Sequence, residues 1–390
     1  MKKLVILHLG NYLLKPNSGV AQKTFSLADA IRQRGWEVRL VAISTSSIPE
    51  DFSHGVEVYT TRKADFFNVA SSFFETLSSD CVVLFRYPFA SEQLVSLTER
   101  FGKQIIFEHN TIEQAEMLLM QREHFSRQPF AFRWSYLKYA VQTLFLKSTV
   151  ESRLGPRILQ NVLGGICVSE EIQHYEQARC KRYTSAVVAN GANGFLINDV
   201  KSPDFQGELR VAMLIGSDAI WQGYERLIHG LSQTGIPLHI RIDIVGIEKP
   251  ERLQLQDIGP HSIHWHGPKS AEELRILLQD SHMAAGTLAL YKKSMEEASP
   301  LKVRECLMLG LPMIIGYYDT DVSSDERFAP YLFNVSNTAE PIDWKSVAEF
   351  YSRLAADGLH RQKIADLALE TLSMQSKSHR YLQFIEQVSN

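Results

Sequence analysis

The sequence predicts an α/β protein built from two doubly wound domains in tandem, and three features predict it. Short apolar runs alternate with amphipathic segments of helix length in both halves of the chain. A polar stretch rich in Asp, Ser, Pro and Gly, INDVKSPDFQGE (197–208), interrupts the alternation and reads as a linker. The 390 residues suffice for two cores, and 45% hydrophobic with 22% charged residues is an ordinary globular mixture. The domains are expected at 1–198 and 209–368, with a C-terminal helix at about 370–390 packing back on the first.

The first domain opens with LVILHLG (4–10). This run reads as a buried strand rather than a leader peptide, because Gly10, Asn11 and Lys15 follow too soon. A helix, GVAQKTFSLADAIRQRG, runs from Gly19 and closes on Gly35. EVRLVAIS (37–44) completes a strand–helix–strand unit, the signature of a parallel sheet. Further strands are read at 56–60, 81–87, 103–110, 164–170 and 185–190. The second series has strands at 210–217, 238–246, 262–267, 283–290 and 312–318, with helices from Tyr224, at 270–280 and at 300–309. The last 40 residues read as helices. In such folds the ligand sits at the carboxyl ends of the strands.

Net charge is −3, which gives no global reason to expect nucleic acid, although the first half is basic and the second acidic. Cys81, Cys167, Cys180 and Cys306 have no metal or CxxC spacing and suit reduced thiols in a cytosol. No run approaches the ~18 apolar residues of a membrane span. The segment from Met117 to Gln160 does not alternate, and over 130–157 it is rich in bases and aromatics. It reads either as a helical pair packed on the first domain or as a basic, aromatic face for anionic lipid.

EEASPLKVRECLMLGLP (296–312) carries the chemistry. Ser299 is read as N-cap and Pro300 as the first helical residue, with Gly310 ending the helix and Pro312 blocking its return. The free N–H groups of Leu301 and Lys302, with the Lys302 charge, suit a phosphate. Glu297 and Glu305 flank that start, roughly 10 Å apart at ~1.5 Å per residue. Carboxylates accept well from vicinal hydroxyls, so the layout matches sugar, diphosphate and ribose in turn. The plain alternative is a helix whose charges are solvated or paired.

These residues resemble the E-x7-E signature of retaining GT-B glycosyltransferases of the family 4-like group. Other segments agree in order. GVAQKTFSLADAIRQRGWEVRLVA resembles the family's first-domain entry, with Gly19 in the glycine loop, and GGICVSEEIQHYE resembles its "vSe" strand and helix. VVANGANGFLI matches the "PNG" segment at Asn190 and Gly191, and LIGSDAIWQGYERLIHGL and SIHWHGPKSAEEL resemble second-domain segments. The resemblance implies a GT-B fold, two Rossmann-like domains facing a cleft. A nucleotide-sugar donor would bind mainly to the second domain and a glycan or lipid-linked acceptor to the first. It gives Glu297 the donor-sugar hydroxyls and the charge at the anomeric carbon, Glu305 the ribose, and Gly19 and Gly216 close approach to the diphosphate. His109 matches the histidine that reaches the donor sugar, with a strand-end cap as its plain alternative. Asn110 and Glu113 are nearby acceptor candidates. The resemblance implies no metal and no cofactor besides the donor.

The sequence departs from the family at its diphosphate clamp. An Arg and a Lys are expected where Ser217 and Gln222 stand. Lys302, then Arg304, Lys292 and Lys293, are the candidate replacements. The expected activity is hexosyl transfer in surface polysaccharide assembly, in the cytoplasm or at the inner face of a membrane. A nucleotide-sugar epimerase and a non-catalytic assembly partner are the competing readings.

Overall fold

The computed structural model describes residues 2–15, 18–47, 55–116, 118–119, 149–193, 200, 203–251, 253 and 257–389. The chain forms two compact units. Unit 1 is Met1–Ala189 with Met374–Asn390, and unit 2 is Asn190–Ser373. The first crossing therefore lies ahead of the polar stretch 197–208, of which 197–199 and 201–202 fall outside the described residues.

Unit 1 holds seven parallel strands: β1 (Lys3–Leu9), β2 (Glu37–Ser44), β3 (Val56–Thr60), β4 (Val82–Arg86), β5 (Ile105–His109), β6 (Gly164–Cys167) and β7 (Ser185–Val187). Their order is β3-β2-β1-β4-β5-β6-β7, so the winding reverses between β1 and β4. The central strands are continuous apolar runs because both faces are covered. Leu4, Ile6, Leu40, Leu84 and Ile106 meet α1 (Gly19–Arg32) on one face. Val5, Leu7, Val41, Phe85 and Phe107 meet α2 (Phe66–Glu75), α3 (Glu92–Phe101) and helical residues 149–159 on the other. A helix α4 (Glu170–Arg179) follows β6.

A buried polar knot ties the chain's end into unit 1. Lys23 of α1 pairs with Glu108 of β5 at 2.8 Å, and the Tyr381 hydroxyl donates to the same carboxylate at 2.8 Å. Burial alone would raise the Glu108 pKa, but the Lys23 ammonium overrides it and holds the carboxyl well below its ordinary value. Tyr381 lies on the helix Met374–Ser389, whose Met374, Leu382 and Ile385 complete the apolar face against α1.

Unit 2 repeats the plan with six parallel strands: β8 (Glu208–Leu214), β9 (His239–Val245), β10 (Ser262–Trp265), β11 (Met283–Ala285), β13 (Met313–Ile315) and β15 (Leu332–Asn334). Their order is β10-β9-β8-β11-β13-β15, with the reversal between β8 and β11. A separate parallel pair joins β12 (Glu297–Ala298) to β14 (Tyr318–Asp319). The helices are α5 (Tyr224–Gly230), α6 (Ala271–Gln279), α7 (Leu301–Met308), α8 (Trp344–Ala356) and α9 (Arg361–Leu372), which makes Met374–Ser389 α10. The α6 start has a full capping box between Ser270 and Glu273. Arg361 is buried and donates to the carbonyls of Leu278, Gln279, Ser281 and Leu309. It thereby satisfies the orphan C-terminal carbonyls of α6 and α7 with a positive charge.

Candidate functional site

The reversal in unit 2 brings two loops together at the carboxyl ends of β8 and β11. Leu288 N–H donates to the Gln222 carbonyl at 2.9 Å, and Ala289 N–H to the Trp221 carbonyl at 3.2 Å. That lacing requires Gly223. Its φ is +75°, and a Cβ there would lie 2.8 Å from backbone atoms of Leu288 and Ala289. Gly216, on the loop after β8, is exposed with open space where a Cβ would stand, and Ser217 beside it is exposed.

The helix α7 starts one residue later than the sequence suggests. Its N-cap is Pro300, in extended conformation, and Leu301 is the first helical residue. Ser299 is not the cap because a tertiary partner takes its oxygens. Asn190 N–H donates to Ser299 Oγ at 2.7 Å, and Asn190 Nδ2 donates to the Ser299 carbonyl at 2.5 Å. A proline N-cap offers no side-chain acceptor, so the first N–H groups of α7 are left to a ligand or to water. At the other end Gly310 takes φ +71°, the left-handed C′ position, as the sequence indicates.

The three charges of α7 diverge. Lys302 turns back to the β8 end and donates to the Leu214 carbonyl at 3.0 Å and to Gln222 Oε1. The ammonium therefore reaches the residue that stands where the family pattern has its lysine. Burial pulls the Lys302 pKa down to about 8. Arg304 does something else. It is wholly buried and binds both oxygens of Asp319, with Asp321 at 3.7 Å and the Asn190 and Pro300 carbonyls as further acceptors. Arg304 is thus a structural clasp and is unavailable to a phosphate, which corrects its candidacy. Glu305 is half-buried, and burial pushes its pKa up to about 7. Leu301 is half-buried on the same turn.

Glu297 is half-buried in β12, held in register against Tyr318. Its neighbour Glu296 is exposed and accepts from Asn337 Nδ2 at 2.9 Å. The turn leading into β12 contains Ser294 at φ +53°, the one non-glycine residue with positive φ among the described residues. Strain of that kind costs about 1–3 kcal/mol and collects at functional sites. Lys293 is buried with its ammonium 4.9 Å from the centre of the Trp221 ring. Lys292 is half-buried.

Unit 1 carries the remaining candidates. Gly19 is the exposed first residue of α1, behind an N-cap formed by Ser18. His109 is 0% exposed, enclosed by side chains of unit 1. Its Nε2 lies 2.9 Å from the Tyr183 hydroxyl, its Nδ1 faces Glu176 at 3.5 Å and Glu113 at 3.8 Å, and its ring packs on Tyr87. Burial favours the neutral ring, but Glu176 and then Glu113 outweigh it and raise the His109 pKa. Glu113 is buried in the same cluster. Asn110 is half-buried with its amide engaged by Lys23 and Glu108. The basic, aromatic stretch 130–148 lies outside the described residues. Sequence reading missed Glu176, Tyr183 and Asp319, which stand among other polar residues in QHYEQARCKRYTS and DTDVSS, so no local pattern marks them.

The sheets and their winding define a class: this is an α/β protein with the GT-B fold of glycosyltransferases. The sequence matches no protein-family model and no curated protein. Among solved structures it is similar to a glycosyltransferase from Rickettsia africae ESF-5, at 12% identity and TM-score 0.62, covering 100% of this chain and 99% of that one. It is also similar to WaaG, a glycosyltransferase involved in lipopolysaccharide biosynthesis (13% identity, TM-score 0.61, 98% and 99% covered). A third is Anabaena Alr3699/HepE in complex with UDP-glucose (12% identity, TM-score 0.56, 98% and 99% covered).

Proposed function

We propose that the chain is a retaining glycosyltransferase of the E-x7-E type. It would move a sugar from a nucleotide-sugar donor to a glycan or lipid-linked acceptor in surface polysaccharide assembly. The observation that carries the reading is the meeting of the Lys302 ammonium with Gln222 at the carboxyl end of β8, one helical turn from the half-buried Glu305. A positive charge returns by another element to the place where the family's lysine is missing. The UDP-glucose held by HepE, on a similar fold, supports a nucleotide sugar as donor.

In this reading the bond from the sugar C1 to the phosphate oxygen breaks with its electron pair going to the diphosphate. Lys302, the N–H groups of Leu301 and Lys302, and the approach at Gly216 stabilise that charge, as preorganised donors do best in a dry site. Gln222 holds the Lys302 ammonium in position. Glu297 accepts from the sugar hydroxyls and supports the positive charge at C1, and Glu305 accepts from the ribose. The acceptor hydroxyl attacks from the face the diphosphate leaves, and its proton goes to the departing phosphate. No step is assigned to His109, which is sealed, and none needs a metal.

A cytoplasmic enzyme working at the inner face of a membrane through 130–157 fits this acceptor class. Among the described residues no helix is long and apolar enough to cross a membrane. A non-catalytic binding partner is the second reading, favoured by the burial of His109 and by Ser217 in place of a cation. A thermal-shift screen of UDP, GDP, ADP, TDP and CMP, followed by their sugars, tests the donor site. Stabilisation by one diphosphate and its sugar is expected, and stabilisation by none rejects the reading.

A further inference from the structure

The knot around His109 is short of positive charge. Glu113, Glu151 and Glu176 are at most 8% exposed, and among the described residues Arg179 is the guanidinium that pairs with the last two. With all three carboxyls ionised and His109 neutral, one guanidinium would leave two negative charges in a dry interior among the described residues, which is costly unless compensated. Arg179 satisfies only part of the set. It binds Glu151 Oε1 at 2.6 Å and Glu176 Oε2, while Tyr87 OH and Ala90 N–H complete Glu151. His109 Nδ1, Glu113 Oε2 and Glu176 Oε1 are buried with no hydrogen-bond partner. One ligand atom from each of the three residues lies within 4.8 Å of the others.

Distance separates the two ways to satisfy these groups. An N–H···O bond spans about 2.7–3.2 Å. The His109 Nδ1 separations of 3.5 Å from Glu176 and 3.8 Å from Glu113 are too long for one proton to bridge well. Two ligands on one ion, each bonded at ~2.0–2.1 Å and at a tetrahedral angle, stand about 3.4 Å apart. The Tyr183 hydroxyl at Nε2 is the outer partner that fixes a ligating imidazole.

We propose that His109, Glu113 and Glu176 hold one divalent transition-metal ion of the zinc class. Imidazole and carboxylate donors suit such an ion, and its two charges balance the knot. The ligands come from the end of β5, from the start of the helical residues 113–116 and from α4, so the ion fastens three separate segments of unit 1. Its role is structural: full burial leaves no room for a substrate, and no step of sugar transfer passes through it. The inference does not depend on the donor reading.

The test uses untagged full-length protein, so that no added histidines bind metal. Elemental analysis is made on the protein as purified. After a chelator wash, Zn2+ is titrated by calorimetry, and melting is followed with and without the ion. One Zn2+ per chain and a higher melting temperature are expected. The one-per-chain step is expected to vanish in Glu176→Gln and in Glu113→Gln. Glu113→Gln leaves the Arg179 pairs untouched, so it keeps the test open if Glu176→Gln does not fold. Folded wild-type protein that binds no Zn2+ stoichiometrically overturns the proposal, leaving a proton on His109 as the compensating charge. Variants that bind like the wild type overturn it as well, because the ion is then held elsewhere.

Discussion

Replacing Lys302 with Met separates a ligand-binding lysine from a structural one. Met keeps the unbranched apolar stem and removes the ammonium that Gln222 and the Leu214 carbonyl accept from. Burial lowers the Lys302 pKa from 10.5 to about 8. Between those values the folded chain binds fewer protons than the unfolded one. Stability therefore rises with pH through that window, and the charged lysine is a burden at neutral pH. Taken whole, a shift of that size is worth about 3 kcal/mol. Lys302 as a whole is half-buried rather than sealed, so roughly 1–2 kcal/mol is realistic. The two acceptors left behind offset this by about 1 kcal/mol each. Lys302→Met is therefore expected to stay within about 1 kcal/mol of wild-type stability and to lose the alkaline rise. Nucleoside-diphosphate affinity behaves differently. A charge-assisted bond to phosphate is worth about 1–3 kcal/mol, so Kd should rise by roughly 5- to 150-fold. Calorimetry near pH 7.5 and urea unfolding measure the two quantities. Unchanged affinity in a folded variant refutes the role, and so does a stability loss of several kcal/mol with no specific loss of binding.

Three further expectations follow from the same elements. The Glu305 pKa of about 7 means the folded chain keeps a proton that the unfolded chain releases from about pH 4.5, so stability falls as pH rises to 7. Ribose hydroxyls favour the ionised carboxyl, so nucleotide-sugar affinity should fall below about pH 7. Glu305→Gln should flatten both trends, and a variant that keeps the wild-type acid limb contradicts the ribose contact. Arg304→Met strands the buried Asp319 carboxylate and should cost about 3–5 kcal/mol in urea unfolding. Adding Asp319→Leu should recover most of that, and an equally unstable double variant rejects the clasp. If 130–157 meets lipid, the protein should sediment with anionic vesicles and be released by salt, and equal binding to neutral vesicles argues against it.

The strands were the most legible part of the chain. β2 and β3 match their sequence reading to the residue, because each is a short run rich in β-branched and apolar residues preceded by a glycine turn, at Gly35 and at Gly55. β15 went unread, since three residues, LFN, are too few for a pattern. Local rules named Gly310 correctly but misplaced the start of α7. Capping rules see only neighbours, and the Ser299 oxygens are taken by Asn190, 109 positions away. The same limit applied at His109. Its place at the end of β5 was readable, but its partner Tyr183 lies 74 positions on, and nothing local shows that the ring is sealed. Lys302 shows how the two kinds of reading join. The missing clamp and the unusual lysine were both visible in the sequence, while their meeting at Gln222 required the fold.

The central claim is that Glu297 and the N-terminus of α7 cleave a nucleotide sugar. Release of nucleoside diphosphate from the donor chosen by the thermal-shift screen tests it most directly, in wild-type protein and in Glu297→Ala. The account predicts slow release by the wild type. It predicts a fall of about 100-fold or more in the variant, with nucleoside-diphosphate binding retained. Wild-type protein that binds the nucleoside diphosphate but turns over no donor, or release that Glu297→Ala leaves unchanged, contradicts it.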